Sequence, residues 1–201
     1  MLDRYRQWMY DWETRLTTRD TNRVVRPLDW GVEWTRGWPC VNGNFPADHS
    51  AAGRFLLELN RRIVDCSDEF FAYRSPDDFG LQRNALARPL RGSSREAVFL
   101  KFQSPVSSPY PENNIAMARW FPARGRRAVV VLPQWNSDSE SHTGLCRIFQ
   151  FQGIAALRLS LSYHDARKPP EIERADYAVS ANVARTIDAA RQAVMDVRCC
   201  L

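Results

Sequence analysis

One short segment combines side chains that could take part in catalysis or binding. Tyr163-His164-Asp165 comes one residue after the run 154–161, which has the composition of a strand. Binding sites in α/β folds collect where strands end, so one interpretation gives His164 a place in a substrate pocket. The other interpretation is a hydrogen-bonded structural histidine. The segment alone does not distinguish these two interpretations of His164.

A second group of polar side chains precedes that run. Asp138, Glu140 and His142 alternate within a polar stretch. A spacing of two brings side chains to one side only in an extended segment, and no fourth ligand is apparent. We therefore expect capping of a helix by Asp138 or Ser139, and no metal site. No phosphate-binding glycine loop or dinucleotide motif is present, so no cofactor is expected.

The cysteines have no spacing typical of metal or redox sites. There are five of them, without a C-x-x-C pair: Cys40, Cys66, Cys146, Cys199 and Cys200. An odd number cannot close into a complete set of disulfides. We expect reduced structural thiols, with a reactive thiol as the alternative.

Composition and charge exclude several classes of protein. The 201 residues are 44% hydrophobic and 25% charged, which is typical of one folded domain and not of a disordered or coiled-coil chain. The net charge of +5 comes almost entirely from arginine, since Lys101 and Lys168 are the only lysines. The arginines are spread along the chain, and the cluster 124–127 is typical of a turn between strands. Nucleic-acid binding is therefore not expected.

The first 95 residues predict a helical or irregular extension. Apolar and aromatic residues recur at helical spacing from Leu2 to Leu16, and again from about Asp48 to Asp65, where Asp48 can cap the helix. Three tryptophans at four-residue spacing lie between these helices. They indicate packing against a core more strongly than a cofactor site.

Residues 96–201 predict alternating strands and helices. Strands are expected at 97–102, 115–121, 128–132 and 154–161, and helices at 142–152 and from 171 to the C-terminus. A strand–helix–strand unit is typical of a parallel crossover. The fold class is therefore α/β, with a mostly parallel sheet and flanking helices.

The C-terminal helix has a strong apolar stripe. Val183, Ile187, Val194 and Val197 lie on one face, and the opposite face carries the charged residues Arg185, Asp188, Arg191 and Arg198. Such a stripe has to lie on a sheet. No further strand follows in the sequence, so we expect an incomplete domain, a partly exposed helix and a tendency to self-associate.

These elements resemble the opening half of the α/β-hydrolase superfamily over residues 96–201. A narrower similarity is to a group of uncharacterised bacterial α/β hydrolases. It depends on Leu132-Pro133-Gln134-Trp135-Asn136 and on 157–161 with the later Tyr163-His164-Asp165. Residues 19–27 and Asp29-Trp30-Gly31 are similar to the N-terminal extension of that group.

The resemblance implies an oxyanion loop after the strand at 128–132. In this superfamily a backbone N–H of that loop helps to stabilise the tetrahedral intermediate. By position the donor would come from Gln134 or Trp135, with Asn136 nearby. Pro133-Gln134 replaces the usual His-Gly pair. The alternative is a strand-exit loop without chemistry.

The catalytic residues of the superfamily are missing. None of the nine glycines begins a Gly-x-Ser-x-Gly motif, and His142 and His164 come too early for the histidine of the triad. The resemblance therefore implies the N-terminal fragment of a serine-type hydrolase for small ester-like substrates, inactive by itself and truncated before the nucleophile. The alternative is a non-catalytic binding or interaction protein on a partial α/β fold. No secretory signal or membrane span is evident, so we expect a cytoplasmic protein.

Overall fold

The computed structural model describes residues 2–18, 26–41, 43–46, 48–85 and 96–201. Its α-helices are α1 (Leu2–Thr18), α2 (His49–Asp65), α3 (Ser67–Phe70), α4 (Thr143–Phe151) and α5 (Val183–Cys200). Its strands are β1 (Gly80–Ala85), β2 (Glu96–Gln103), β3 (Ile115–Phe121), β4 (Ala128–Val131) and β5 (Ala155–Leu159). Short 3-10 turns occur at Val32–Gly37, Pro111–Asn114 and Asp165–Arg167.

The strands form one mixed sheet in the order β1-β2-β3-β5-β4. β4 and β5 are parallel because α4 connects them, whereas the pairs β1–β2, β2–β3 and β3–β5 are antiparallel. The expected α/β class with flanking helices is confirmed, but the described sheet is not mostly parallel. The expectation was wrong because only one strand–helix–strand unit contributes to this sheet.

The two long helices of the second half cover opposite faces of the sheet. On one face Phe121 and Ala156 pack with Cys146 of α4. On the other face Leu157 and Leu159 pack with Val197 of α5. Alternate residues of a strand point to opposite faces, which explains how the single strand β5 supplies both cores.

The N-terminal part packs against α5 through aromatic residues. Trp38 joins Leu56 and Leu59 of α2 in a buried cluster, and Trp30 and Trp34 pack against it, as the tryptophan spacing predicted. The cap of α2 is confirmed, since Asp48 accepts a hydrogen bond from the Ala51 amide at 2.7 Å. β1 precedes the predicted boundary at 95/96 and pairs with β2 along its whole length. Residues 19–25, which carry most of the predicted N-terminal motif, lie outside the described residues.

The C-terminal helix differs most from its prediction. It begins at Val183, not at residue 171, because the Asn182 side chain caps it by accepting from the Arg185 amide. Its buried face is polar: Asp188, Gln192 and Asp196 are 6%, 1% and 0% exposed. Asp188 was placed on the outer face by periodicity, and that assignment is wrong. Polar partners from other elements make this burial tolerable.

The partners of Gln192 and Asp196 come from the 104–114 segment and from Arg167, whereas Asp188 accepts from the Trp38 indole. Arg167 lies 2.8 Å from the Asp196 carboxylate and donates to the carbonyl oxygens of Asn113 and Ser160. Ser104 donates to Asp196 at 2.7 Å, and Gln192 accepts from the Asn113 side chain. Burial raises the pKa of Asp196, and the Arg167 charge opposes that rise.

The cysteines are partly paired. The sulfur atoms of Cys40 and Cys66 are bonded to each other, whereas Cys146, Cys199 and Cys200 carry free thiols. The expectation of five reduced cysteines is therefore wrong for one pair, because folding brings two positions 26 residues apart together. In the described ranges, no helix has both the length and the apolar character that crossing a membrane requires.

Candidate functional site

The carboxyl ends of β4 and β5 lie side by side, because the two strands are parallel neighbours. The turns that follow contain three non-glycine residues with positive φ: Asn136 at 58°, Tyr163 at 62° and Asp165 at 51°. Asparagine and aspartate tolerate this conformation, but tyrosine adopts it seldom. Such strained residues concentrate at functional sites. The predicted segments 132–136 and 163–165 are therefore brought together in space.

His164 is buried and uses both ring nitrogens. Nδ1 lies 2.8 Å from the Ser162 carbonyl oxygen, which can only accept, so the proton is on Nδ1. Nε2 is then free to accept, and it receives the hydrogen bond of the Asn136 amide at 3.1 Å. Burial lowers the pKa of His164, which keeps the ring neutral for this role. The histidine positions the loop after β4.

A second set of contacts ties the same loop to the segment after Lys168. The Trp135 indole donates to the Ala175 carbonyl at 3.1 Å, and the Asn136 side chain accepts from the Ala175 amide at 3.2 Å. The Arg174 guanidinium lies 4.9 Å from the centre of the Trp135 ring. The loop is thus held at both the histidine and the 174–175 segment.

The three residues predicted for the oxyanion loop differ in whether their backbone N–H group already donates a hydrogen bond. The Asn136 amide is used by His164 and is not available to a substrate in this conformation. The backbone N–H groups of Gln134 and Trp135 donate to no other described residue. Of the three residues, Gln134 and Trp135 are therefore the two whose backbone N–H has no acceptor among the described residues.

Two buried arginines lie under the loops. Arg119 of β3 and Arg158 of β5 are directly opposite in the sheet and point to the α4 face. Arg119 forms two 2.9 Å contacts with the Glu140 carboxylate, and Arg158 pairs with Asp165. Arg158 also donates to the carbonyl oxygens of Ser141 and Asp138, at 3.1 and 2.6 Å. It therefore connects both strand-end turns.

A cavity of about 570 Å³ opens above these arginines. Arg119, Arg158 and Ser160 form part of its floor, and Asn136 and Lys168 border it from opposite loops. Both floor arginines are neutralised by carboxylates. Gln134 and Trp135 lie just before its rim, and His164 does not border it. The hydrogen bonds of His164 correspond to the second interpretation given above, a hydrogen-bonded structural histidine.

The alternating residues Asp138, Glu140 and His142 do not form a metal site. Asp138 accepts from the Ser141 amide and hydroxyl, at 2.7 and 2.8 Å, and these bonds lower its pKa. Glu140 is paired with Arg119, and His142 occupies the N-cap position of α4 without a side-chain cap. Asp138 therefore caps the preceding turn and not the helix.

Among the described residues, one group of three potential metal ligands lies close together: Cys40, Cys66 and Glu69. Because the two sulfur atoms are joined in a disulfide, neither is available as a thiolate ligand. This cluster carries no metal-binding role in the structure.

The sequence interpretation missed the two buried arginines. Each stands inside a run that was predicted as a strand, Arg119 within 115–121 and Arg158 within 154–161. An arginine inside an apolar strand has to find a buried carboxylate or point to solvent. An arginine within an otherwise apolar strand was therefore the sequence feature that could have indicated these buried ion pairs.

We expect His164→Ala to loosen the loop after β4. The variant leaves the Ser162 carbonyl and the Asn136 amide without partners, so the free energy of unfolding should fall by about 2 kcal/mol. Hydrogen exchange of the Asn136 amide should accelerate. Because the folded pKa of His164 is depressed below 6.5, its stabilisation is complete above that pH and declines as the pH falls. Urea unfolding from pH 8 to pH 5 measures this.

His49→Ala is the matched control for this prediction. His49 is exposed and accepts one hydrogen bond, from the Trp30 indole at 3.3 Å. Its removal should change stability little and should leave the exchange of Asn136 unchanged. Equal effects of the two variants would contradict a positioning role for His164.

Comparisons with known proteins assign no family to the chain. No protein-family model matches it, and no curated protein does either. The function therefore has to be argued from the geometry.

Proposed function

We propose that these 201 residues form the oxyanion-loop part of a serine-type α/β hydrolase that acts on an ester or related acyl bond. In this proposal Gln134 or Trp135 supplies one backbone donor to the oxyanion. The nucleophile, the acid and the catalytic histidine come from a polypeptide segment outside these residues. The unpaired amides of Gln134 and Trp135, fixed beside the cavity, are the observation that carries the proposal.

The order of elements supports the proposal. β2 and β3 come first and form an antiparallel pair. A strand–helix–strand unit of β4, α4 and β5 follows, and the long helix α5 comes last. The outer edge of β4 has no partner among the described strands. A hydrophobic strand with an unpaired edge favours pairing with a further strand. That neighbour is where the superfamily would carry its nucleophile.

The polarity of the site supports an acyl substrate. The hydrogen bond from Asn136 to His164 holds the loop in place, so the two free amides need no rearrangement to meet a developing oxyanion. The lining of the adjacent cavity includes hydroxyl and charged groups, and the charges of Arg119 and Arg158 are already paired. A small polar substrate fits such a lining better than a long hydrocarbon chain does.

The chain by itself should not hydrolyse activated esters above background. Oxyanion donors stabilise a tetrahedral intermediate only when a nucleophile forms one. The measurement is the release of p-nitrophenol from p-nitrophenyl acetate by the purified 201-residue protein. Turnover that a single Ser→Ala change within the chain abolishes would overturn the proposal.

The decisive test is made on the longer polypeptide. The coding sequence beyond codon 201 should encode Gly-x-Ser-x-Gly within about 20–25 residues. In that protein Gln134→Pro, which removes one backbone N–H, should lower kcat about 100- to 1,000-fold. Gln134→Ala keeps the N–H and should retain kcat. If both variants are equally active, the Trp135→Pro variant tests the second candidate, and full activity there excludes this loop.

A binding or interaction protein is the second candidate. The observation that favours it is the exposed apolar surface of α4, where Ile148 and Phe151 are 56% and 93% exposed. Size-exclusion chromatography distinguishes the two proposals for the 201-residue protein. A monodisperse oligomer that dissociates in the Phe151→Glu variant favours the second candidate.

A further inference from the structure

A second cavity, of about 620 Å³, lies between the N-terminal part and α5. None of the residues that border it also borders the cavity at the strand ends. Trp34 and Trp38 lie on one side, and Pro105, Val106 and Pro109 on another. These side chains make an apolar wall large enough for a small ring or alkyl chain.

The polar group of this cavity is the carboxylate of Asp188, whose side chain is 6% exposed. Its Oδ1 accepts a 2.7 Å hydrogen bond from the Trp38 indole. Its second oxygen receives no hydrogen bond from any described residue. This oxygen is not among the fully buried atoms and remains open to the cavity, where it can accept a hydrogen bond from a ligand.

The neighbouring charges favour a cation. Side chains that border the cavity include two acids, Glu33 and Asp188, and one arginine, Arg191. Arg191 lies near enough to Asp188 to lower the pKa of that carboxyl, and its Nε also donates to the Phe70 carbonyl at 2.8 Å. The net charge of the lining is therefore negative, and tryptophan faces also attract cations.

We infer that this cavity binds a small organic cation, a primary ammonium group on an aromatic or alkyl body. The ammonium donates to the second carboxylate oxygen of Asp188, and the body packs between the tryptophans and the proline wall. Glu33, which also borders the cavity, adds a second negative charge. This inference is independent of the proposed hydrolase function, because it uses none of the residues of that site.

Phenethylammonium is the probe for this site. It should bind the 201-residue protein saturably in calorimetry at pH 7.5 and shift the indole N–H resonance that the Trp38→Phe variant lacks. The anion 3-phenylpropionate and the neutral 2-phenylethanol have similar bodies and should each bind at least ten-fold more weakly. Equal binding of either molecule, or no saturable binding of phenethylammonium, would overturn the inference.

Asp188→Asn tests the carboxylate itself. The amide oxygen can still accept from the Trp38 indole, so the fold should persist while the affinity falls at least ten-fold. Asp65→Asn, at an exposed position, is the matched control and should bind as the unmodified protein does. Glu33→Gln should weaken binding by a smaller factor. Unchanged affinity in Asp188→Asn contradicts the inference.

The pH dependence tests the same group without a substitution. Burial raises the pKa of Asp188 to about 6. The titratable and charged groups near it are Arg191 on its own helix, Glu33 in the cavity lining and the neutral phenol of Tyr163, whose pKa the Asp188 charge helps to raise. Since the probe stays cationic throughout, its affinity should fall about ten-fold between pH 7.5 and pH 5. A constant affinity would contradict the assignment.

Discussion

We expect Arg167→Met to lower the free energy of unfolding by about 3–5 kcal/mol. The substitution leaves the Asp196 carboxylate, which is fully buried, without its counter-charge. It also removes the donors to the carbonyl oxygens of Asn113 and Ser160. Urea unfolding followed by tryptophan fluorescence measures the loss. The deficit should shrink as the pH falls, because protonation removes the charge of Asp196.

Two variants distinguish this effect from a general loss of packing. Arg126→Met removes an exposed arginine and should stay within about 0.5 kcal/mol of the unmodified protein. The double variant Arg167→Met/Asp196→Asn should recover part of the loss, because the amide keeps the acceptor for Ser104 without a buried charge. A loss below about 1 kcal/mol in Arg167→Met would contradict the importance of this ion pair.

Arg158→Met should have a comparable effect, about 3–5 kcal/mol, and should also disorder the candidate site. Asp165 would remain buried without its partner, and the carbonyl oxygens of Asp138 and Ser141 would lose their donors. Since Arg158 connects the turns after β4 and β5, we expect amide exchange to accelerate in both. Hydrogen exchange with mass spectrometry measures this, and unfolding in urea measures the stability.

Arg119→Met is the matched comparison for that variant. Arg119 occupies the opposite register position, but its partner Glu140 is 34% exposed. Glu140 can be solvated when its partner is lost, so the cost should be smaller, about 1–2 kcal/mol. Equal losses in the two variants would show that the position in the sheet matters more than the burial of the carboxylate.

Several elements followed from local sequence alone. The strands β3 and β4, the helix α4 with Gly153 at its C-terminal end, and the cap of α2 by Asp48 agree with their predictions. These features depend on the periodicity of neighbouring residues and on turn chemistry, which a short window of sequence contains. The approach of residues 132–136 to 163–165 was not predicted, and it follows from the parallel pairing of β4 and β5, whose carboxyl ends lie at the same edge.

The tertiary structure decided which side chains are buried and with what. Periodicity placed Asp188 outside, yet α5 buries Asp188, Gln192 and Asp196, since Trp38, Asn113 and Ser104 supply their hydrogen bonds from 150, 79 and 92 residues away. Likewise His164 became a support for the Asn136 amide only when the two turns met. A polar residue is tolerated in a core when its partner is present, and that partner is a property of the fold and not of the neighbouring sequence.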